Sequence, residues 1–315
     1  MPDPAARIAP RPGHGPTVHI LLCTCNGAPW LQAQLDSLVA QTHRDWRLWV
    51  SDDHSSDDTR AILARFAQHN PGRIAALLDG PRKGSAANYL SLLCHPDLPA
   101  APVALCDQDD VWLPHKLEHA MARLRPHAGT PCAWAGRYVF TDQDLRPLGL
   151  SPLWARGPSL ENALVQNIMS GHTLTLNPEA LALIRRAGPK PVAHHDWWIY
   201  LALMACGGRA LIDPEIVLQY RQHPANTVGR RAGFRARAAR LGAVMDGTLN
   251  AWIMDNLAAL ASADLPLSAQ ARQLVAQYTQ SQGTRASLAL GDFATHRQHR
   301  AEGLALSLAK RLRRL

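Results

Sequence analysis

The sequence predicts an α/β fold: a mostly parallel central sheet flanked by helices, with an α-helical extension at its C-terminal end. Two observations carry this reading. Between residues 18 and 105, short apolar runs alternate four times with segments of helical spacing, the pattern of parallel strands joined by crossover helices. Ligands of such sheets bind beyond the carboxyl ends of the strands. Cys23 to Asn26, Asp53, and Asp107 to Asp110 all fall at those ends, so three separated segments converge on one crevice.

The first run, Val18 to Cys23, has the length of a buried strand and is broken at Asn26-Gly27. Trp30, Leu31, Leu35, Leu38 and Val39 then recur at helical spacing. Trp46 to Val50 is a second strand, ending at Ser51-Asp52-Asp53. Ser55 or Ser56 is expected to cap the helix holding Ile62, Leu63 and Phe66, with Asp57 and Asp58 favourable near its first turn. Ile74 to Leu78 is a third strand, Gly84 opens a loop into a helix around Asn88 to Leu93, and Val103 to Leu105 is the fourth strand. Beyond about residue 133 the pattern is mixed. Cys132 to Phe140 and Leu174 to Leu176 read as strands, and Pro178 to Ala187 and the stretch after Asp196 as helices. After Gly229 strand signals fade, and Ala/Leu/Arg-rich segments predict helices to the end.

The most informative segment is Cys106 to Pro114, where an apolar run leads straight into Asp107, Asp109 and Asp110. Clustered negative charge at the end of a buried strand requires a positive partner. Carboxylate oxygens suit a hard divalent cation, and Mg²⁺ or Mn²⁺ typically bridges them to substrate phosphates. The alternative is a solvated acidic turn that caps the following helix.

Composition sets limits on the rest. The chain has 315 residues, 47% hydrophobic and 18% charged, an ordinary soluble globular balance. A net charge of +8 favours an anionic partner such as a nucleotide, a membrane surface or nucleic acid. No CxxC pair of zinc-like spacing occurs among the six cysteines, so free thiols in a reducing cytosol are expected. Met1 to Pro16 lacks the apolar core of a signal peptide and reads as a disordered leader. No apolar run is long enough for a transmembrane helix. Leu304 to Leu315 interleaves leucines with Lys310, Arg311, Arg313 and Arg314; it is either an interfacial helix on anionic lipid or a packed helix with a charged solvent side.

Five ordered motifs resemble glycosyltransferase family 2, with its GT-A (Rossmann-like) nucleotide-diphospho-sugar transferase fold. They are Cys23-Thr24-Cys25-Asn26, Ser51 to Asp57, Asp107-Gln108-Asp109-Asp110-Val111-Trp112, His195-Asp196-Trp197-Trp198 and Tyr220 to Gly229. The last resembles the segment that closes the catalytic domain in rhamnosyltransferase-like members. The resemblance covers about residues 17–230, which would be the catalytic domain, with 231–315 a helical extension. It implies inverting transfer of a sugar from a nucleotide diphosphate sugar to a hydroxyl, with Mg²⁺ or Mn²⁺.

Residue by residue, the resemblance places the backbone of Cys23, Thr24, Cys25 and Asn26 beside the nucleoside. Asp53 matches the carboxylate that accepts from a pyrimidine N–H, with Asp52 or Asp57 left to cap the helix. Gly84 and Asn88 match the loop alongside the nucleotide, where Arg82 and Lys83 would meet phosphate charge or form a solvated turn. Asp107 and Asp109 match the metal motif, with Asp109 as the direct ligand and Gln108 between them on the donor side, and Asp110 would organise the loop or the sugar hydroxyls. His223 would be a further metal or diphosphate contact. Arg221 would neutralise diphosphate. Ser170-Gly171-His172 resembles the turn lining the acceptor. Asp196 matches the base, and Trp197 and Trp198 are expected to exclude water around it and raise its pKa; His194 and His195 either orient it or form an exposed pair.

The expected activity is therefore a glycosyltransferase, free in the cytosol or peripheral on the inner face of the membrane, moving rhamnose from deoxythymidine diphosphate rhamnose to a glycan or lipid-linked acceptor. Two other classes stay open on sequence alone. A sugar-phosphate nucleotidyltransferase would want a glycine-rich basic loop after the first strand, and Cys23 to Pro29 is poor in basic residues. A non-catalytic nucleotide or nucleic-acid binding module fits the basic balance, but no aromatic-and-basic stacking platform supports nucleic acid as a partner.

Overall fold

The computed structural model describes residues 15–223, 247–281, 285, 286, 290, 293–299, 302–304, 306 and 307. All but the last two residues of the expected leader, residues 224–229 of the closing motif, and most of Leu304 to Leu315 lie outside them. Among the described residues, nine strands form one sheet: β1 (Val18–Thr24), β2 (Trp46–Asp52), β3 (Ile74–Asp79), β4 (Val103–Asp107), β5 (Val111–Trp112), β6 (Cys132–Thr141), β7 (Pro147–Leu150), β8 (Thr175–Leu176) and β9 (Arg209–Arg221). Their order is β3-β2-β1-β4-β8-β6-β9-β5, with β7 hanging from β6.

The parallel sheet expected from the alternation is present in β1 to β4, whose neighbours all pair parallel. Beyond β4 the pairing is mixed: β8 runs antiparallel to β4 and β6, whereas β6 and β9 are parallel. Strand β9 was not apparent in the sequence because Asp213-Pro214-Glu215 interrupts its apolar run. Those residues sit in a register shift, where Ala135 pairs with Ile212 but Arg137 with Ile216. A bulge accommodates a proline that a regular ladder would reject. Gly136 opposes it, and a Cβ there would approach Val217 Cγ2 to 2.7 Å.

Helices cover both faces: α1 (Ala28–Val39), α2 (Thr59–His69), α3 (Ser85–Leu93), α4 (Lys116–Leu124), α5 (Leu160–Ala163), α6 (Pro178–Ala187), α7 (His195–Ala205), α8 (Thr248–Ala261) and α9 (Ala269–Gln280). Alternate side chains of β1 point to opposite faces. Val18, Ile20 and Leu22 therefore join Leu31, Leu35, Ile62, Phe66 and Leu117 from α1, α2 and α4 in one core. Leu21 and Cys23 join α3, α6 and α7 in the other. Each such leucine contributes about 2 kcal/mol by leaving water. Leu249, Ile253, Leu257, Leu260, Ala271 and Leu274 bring α8 and α9 into that second core. Among the described residues no helix is long and apolar enough to cross a membrane.

Candidate active site

The ends of β1 and β2 are tied to the start of α2 by a carboxylate buried beneath the crevice. Asp52 is fully buried and accepts from Thr24 Oγ1 at 2.8 Å, Ser55 Oγ at 2.5 Å and Arg60 Nε at 2.6 Å. Burial alone would raise its pKa, but hydrogen bonds from Ser55, Arg60 and Thr24 leave it lowered. Thr24 is thus a strand-end brace. The expected caps Ser55 and Ser56 are used differently too. Ser55 Oγ accepts the Asn26 N–H, while the Ser56 N–H donates to Asn26 Oδ1. Asp57 takes the Thr59 and Ala28 N–H groups at 3.0 Å and so joins the starts of α2 and α1. Asn26, at φ 49°, has the left-handed backbone that asparagine tolerates.

Cys25 is exposed at the crevice mouth, and Cys23 is buried below it. The Gln108 amide closes on the Cys25 backbone from both sides: its Oε1 accepts the Cys25 N–H at 2.9 Å, and its Nε2 donates to the Cys25 carbonyl at 3.0 Å. Gly27 makes room for this clasp, because a Cβ there would lie 2.2 Å from Gln108 Oε1. Asp53 Oδ1 accepts the Arg82 N–H at 2.5 Å, which pins the loop after β3 across the crevice. Within that loop Arg82 donates to His54 Nδ1, Lys83 is exposed, and Gly84 at φ 83° precedes α3. Asn88 departs from its expected place beside the nucleotide. It is buried, with its amide turned into the sheet onto Ser51: Oδ1 accepts from Ser51 Oγ and Nδ2 donates to Ser51 O.

The acidic motif divides. The turn through Gln108 and Asp109 sends Asp107 and Asp110 to one side, where they meet His172; donor atoms of these three lie within 4.8 Å of one another. His172 Nδ1 is 3.7 Å from Asp107 Oδ2 and 3.6 Å from Asp110 Oδ2. Asp110 is fully buried and neither of its oxygens has a hydrogen-bond partner. Burial, then the charges of Asp109 and Asp107, push its carboxyl well above the usual range, against the opposing charge of Lys116. Asp107 is the opposite case: burial is outweighed by His172 and Tyr89, and its pKa is lowered. Below the cluster, Lys116 is fully buried, donates to the His172 carbonyl at 2.6 Å and lies 3.3 Å from the Trp112 ring centroid. Burial lowers its ammonium to about 7.

The expected trio Asp107, Asp109 and His223 is therefore not the set that converges. Asp109 Oδ2 is instead paired with His223 Nε2 at 2.9 Å, on the β9 side of the turn. Burial and the Asp107 charge raise the Asp109 carboxyl, and His223 opposes them. His223 stacks on Trp30 at 5.1 Å, and the Arg221 guanidinium covers the same indole at 4.9 Å. Arg221 also donates to the carbonyls of Asp109 and Gln143. It fastens the end of β9 to the acidic turn, where diphosphate contact had been expected.

Asp196 occupies the first turn of α7. Its Oδ2 accepts the Gly171 N–H at 3.0 Å and its Oδ1 the Trp197 N–H at 2.8 Å. Gly171 and His172 are neighbours in one 3₁₀ turn, so a single segment holds Asp196 with one residue and faces Asp107 and Asp110 with the next. Tyr138, flanked by Ser170 and His172, feels the charges of both Asp110 and Asp196. Trp197 and Trp198 do not form the expected shield around Asp196: both are buried core side chains, and Trp197 donates to the Ala163 carbonyl. His195 is buried and His194 packs edge-on against Trp252, so they are not an exposed pair.

This donor set fits a hard divalent cation. The orphaned Asp110 oxygens carry this fit, since a buried carboxylate without a partner is costly; Asp107 and His172 would supply the other ligand atoms. Across the same turn, Asp196 presents a carboxylate that could accept a proton.

The profile of glycosyl transferase family 2 matches residues 19–186. A dTDP-rhamnosyl transferase, RfbG, of Shigella flexneri is 25% identical over 252 residues, covering 77% of this chain and 84% of the relative. Among solved structures, S. aureus TarS 1-349 in complex with UDP-GlcNAc has a TM-score of 0.57 at 14% identity, covering 93% of this chain and 79% of that one. A mannosyltransferase from Pyrobaculum calidifontis, in complex with GDP-Man and Mn2+, has a TM-score of 0.52 at 22% identity, covering 98% and 89%.

Proposed function

The chain belongs to glycosyl transferase family 2, and on that premise we propose that it moves rhamnose, with inversion, from deoxythymidine diphosphate rhamnose to a hydroxyl of a glycan or lipid-linked acceptor. Its fold is GT-A, like that of the two solved structures. Membership of the family displaces the nucleotidyltransferase alternative. The donor reading is supported by the likeness to the dTDP-rhamnosyl transferase of Shigella flexneri.

One observation carries the reaction chemistry: adjacent residues Gly171 and His172 join the Asp196 carboxylate to the Asp107 and Asp110 cluster. Residues 17–230 form the catalytic domain in this reading. Asp107, Asp110 and His172 would hold Mg²⁺ or Mn²⁺, with the Asp109–His223 pair beside them. When bound, such an ion neutralises charge on the departing diphosphate. Cys25, fixed by Gln108, and Asp53, fixed by Arg82, line the nucleoside end of the crevice. Asp196 receives the acceptor proton as the hydroxyl attacks the anomeric carbon. The two hydrogen bonds it accepts orient the carboxylate for that task. The test is a transfer screen of nucleotide sugars with and without Mn²⁺. Turnover of deoxythymidine diphosphate rhamnose above uridine and guanosine diphosphate sugars is expected; turnover only of the latter would overturn the donor assignment.

A further inference from the structure

Tyr89 of α3 is almost completely buried, 1% exposed, beneath the crevice. Its hydroxyl stands 2.6 Å from Asp107 Oδ1 and 2.6 Å from the Cys106 carbonyl. Its ring lies flat against the His195 imidazole, with centroids 4.1 Å apart and planes at 23°. His195 opens α7 and precedes Asp196 directly. One side chain thus touches both the carboxylate at the end of β4 and the residue next to the carboxylate at the start of α7.

We propose that Tyr89 is a positioning residue with two separable tasks, one for each wall of the crevice. The hydroxyl holds Asp107 Oδ1, so that Oδ2 stays turned toward His172 and Asp110. The ring holds His195, and through it the first turn of α7, so that Asp196 keeps its place at Gly171. This deepens the functional reading above and rests on it.

The two oxygens of Asp107 have distinct surroundings: Oδ1 meets the phenol, and Oδ2 is the one 3.7 Å from His172 Nδ1. The carboxylate torsion is soft and roughly two-fold, so loss of the phenol frees the group to turn. A hydrogen bond to a ligating carboxylate fixes the ligand's orientation. His195 is held on its other side as well. Its Nε2 has no hydrogen-bond partner, and a Cβ on Gly171 would stand 2.8 Å from that atom. The imidazole is therefore wedged between the Tyr89 ring and the Gly171 backbone. Gly171 in turn donates its N–H to Asp196 Oδ2 at 3.0 Å. His195, Asp196 and Gly171 form a closed circuit, and the flat Tyr89 ring buttresses it at His195.

Tyr89→Phe and Tyr89→Leu separate the tasks. The readouts are Mn²⁺ affinity from the electron paramagnetic resonance of free Mn²⁺ in saturating deoxythymidine diphosphate, and turnover at saturating Mn²⁺ and donor. Tyr89→Phe is expected to weaken Mn²⁺ binding about tenfold while keeping turnover within about threefold once Mn²⁺ saturates. Tyr89→Leu is expected to show the same loss of affinity and a further fall in turnover of about tenfold or more. Should Tyr89→Leu fail to fold, His195→Ala removes the stack from the other side, with turnover expected to fall and Mn²⁺ affinity to hold. Unchanged Mn²⁺ affinity in Tyr89→Phe overturns the first task. Turnover in the stack-deleting variant equal to that of Tyr89→Phe overturns the second. A wild-type protein that binds no Mn²⁺ would instead count against the functional reading beneath both.

Discussion

Asp196 Oδ2 accepts the backbone N–H of Gly171 at 3.0 Å. The residue after Gly171, His172, faces Asp107 and Asp110. The spacing between the carboxylate proposed to take a proton and the proposed cation ligands is therefore set by the backbone of one short turn. Such rigidity suits a displacement in which both reacting partners must be in line.

Asp196→Asn keeps an oxygen for the Gly171 or Trp197 N–H but removes the proton acceptor. Turnover is expected to fall by roughly 10²–10⁴, with the affinity for nucleoside diphosphate changed less than about threefold. Parallel transfer assays and calorimetric titrations check both halves; full activity in the variant would remove Asp196 from its role.

Gly27 and Gln108 form a unit, because a Cβ on Gly27 displaces the amide that clasps Cys25. Gly27→Ala and Gln108→Ala are each expected to cost about 1–3 kcal/mol of stability through the lost hydrogen bonds. They should also weaken nucleotide binding to similar extents. The double variant should be little worse than either single one, since the two act on the same clasp. Chemical denaturation of all three tests this, and additive losses would contradict it.

His19 gives a pH dependence away from the site. Its Nδ1 accepts the Trp49 Nε1–H at 2.9 Å, and burial, then the Arg47 charge, lower its pKa from 6.5 to about 4. The unfolded chain binds a proton at this ring near pH 6.5, the folded chain only near pH 4. The neutral ring thus contributes stability that is present in full above pH 6.5 and is lost as pH falls toward 4, up to about 3 kcal/mol. His19→Asn keeps an acceptor near Nδ1 and cannot titrate. Urea midpoints should fall less for the variant than for the wild type between pH 7 and 4.5; equal slopes would refute the assignment.

Much of this arrangement is legible in the sequence where backbone period decides it. Asp53, Asp107 and Asp196 end strands or begin helices, and the 2.0 and 3.6 periods locate those ends. What side-chain direction decides is not legible. Nothing in Asp107-Gln108-Asp109-Asp110 tells which carboxylates turn inward, and the fold chooses Asp110 over Asp109. Asn88 sits at helical spacing yet turns its amide into the sheet. Lys116 and Tyr89 read as ordinary members of amphipathic helices, and only tertiary packing brings one under His172 and the other under Asp107. Strand β9 was hidden by Pro214, whose bulge leaves no continuous apolar run.

Asp110 offers the most direct test of the whole account, since both its buried oxygens lack hydrogen-bond partners. The measurement is calorimetric titration of deoxythymidine diphosphate into wild type and Asp110→Asn, with Mn²⁺ and with chelator. Wild type should bind at least about tenfold more tightly with Mn²⁺, and the variant should lose that gain. The variant without cation should be no less stable than wild type, because an unpartnered buried carboxylate has gone. An Asp110→Asn protein that binds the nucleotide with undiminished Mn²⁺ dependence would contradict the central claim.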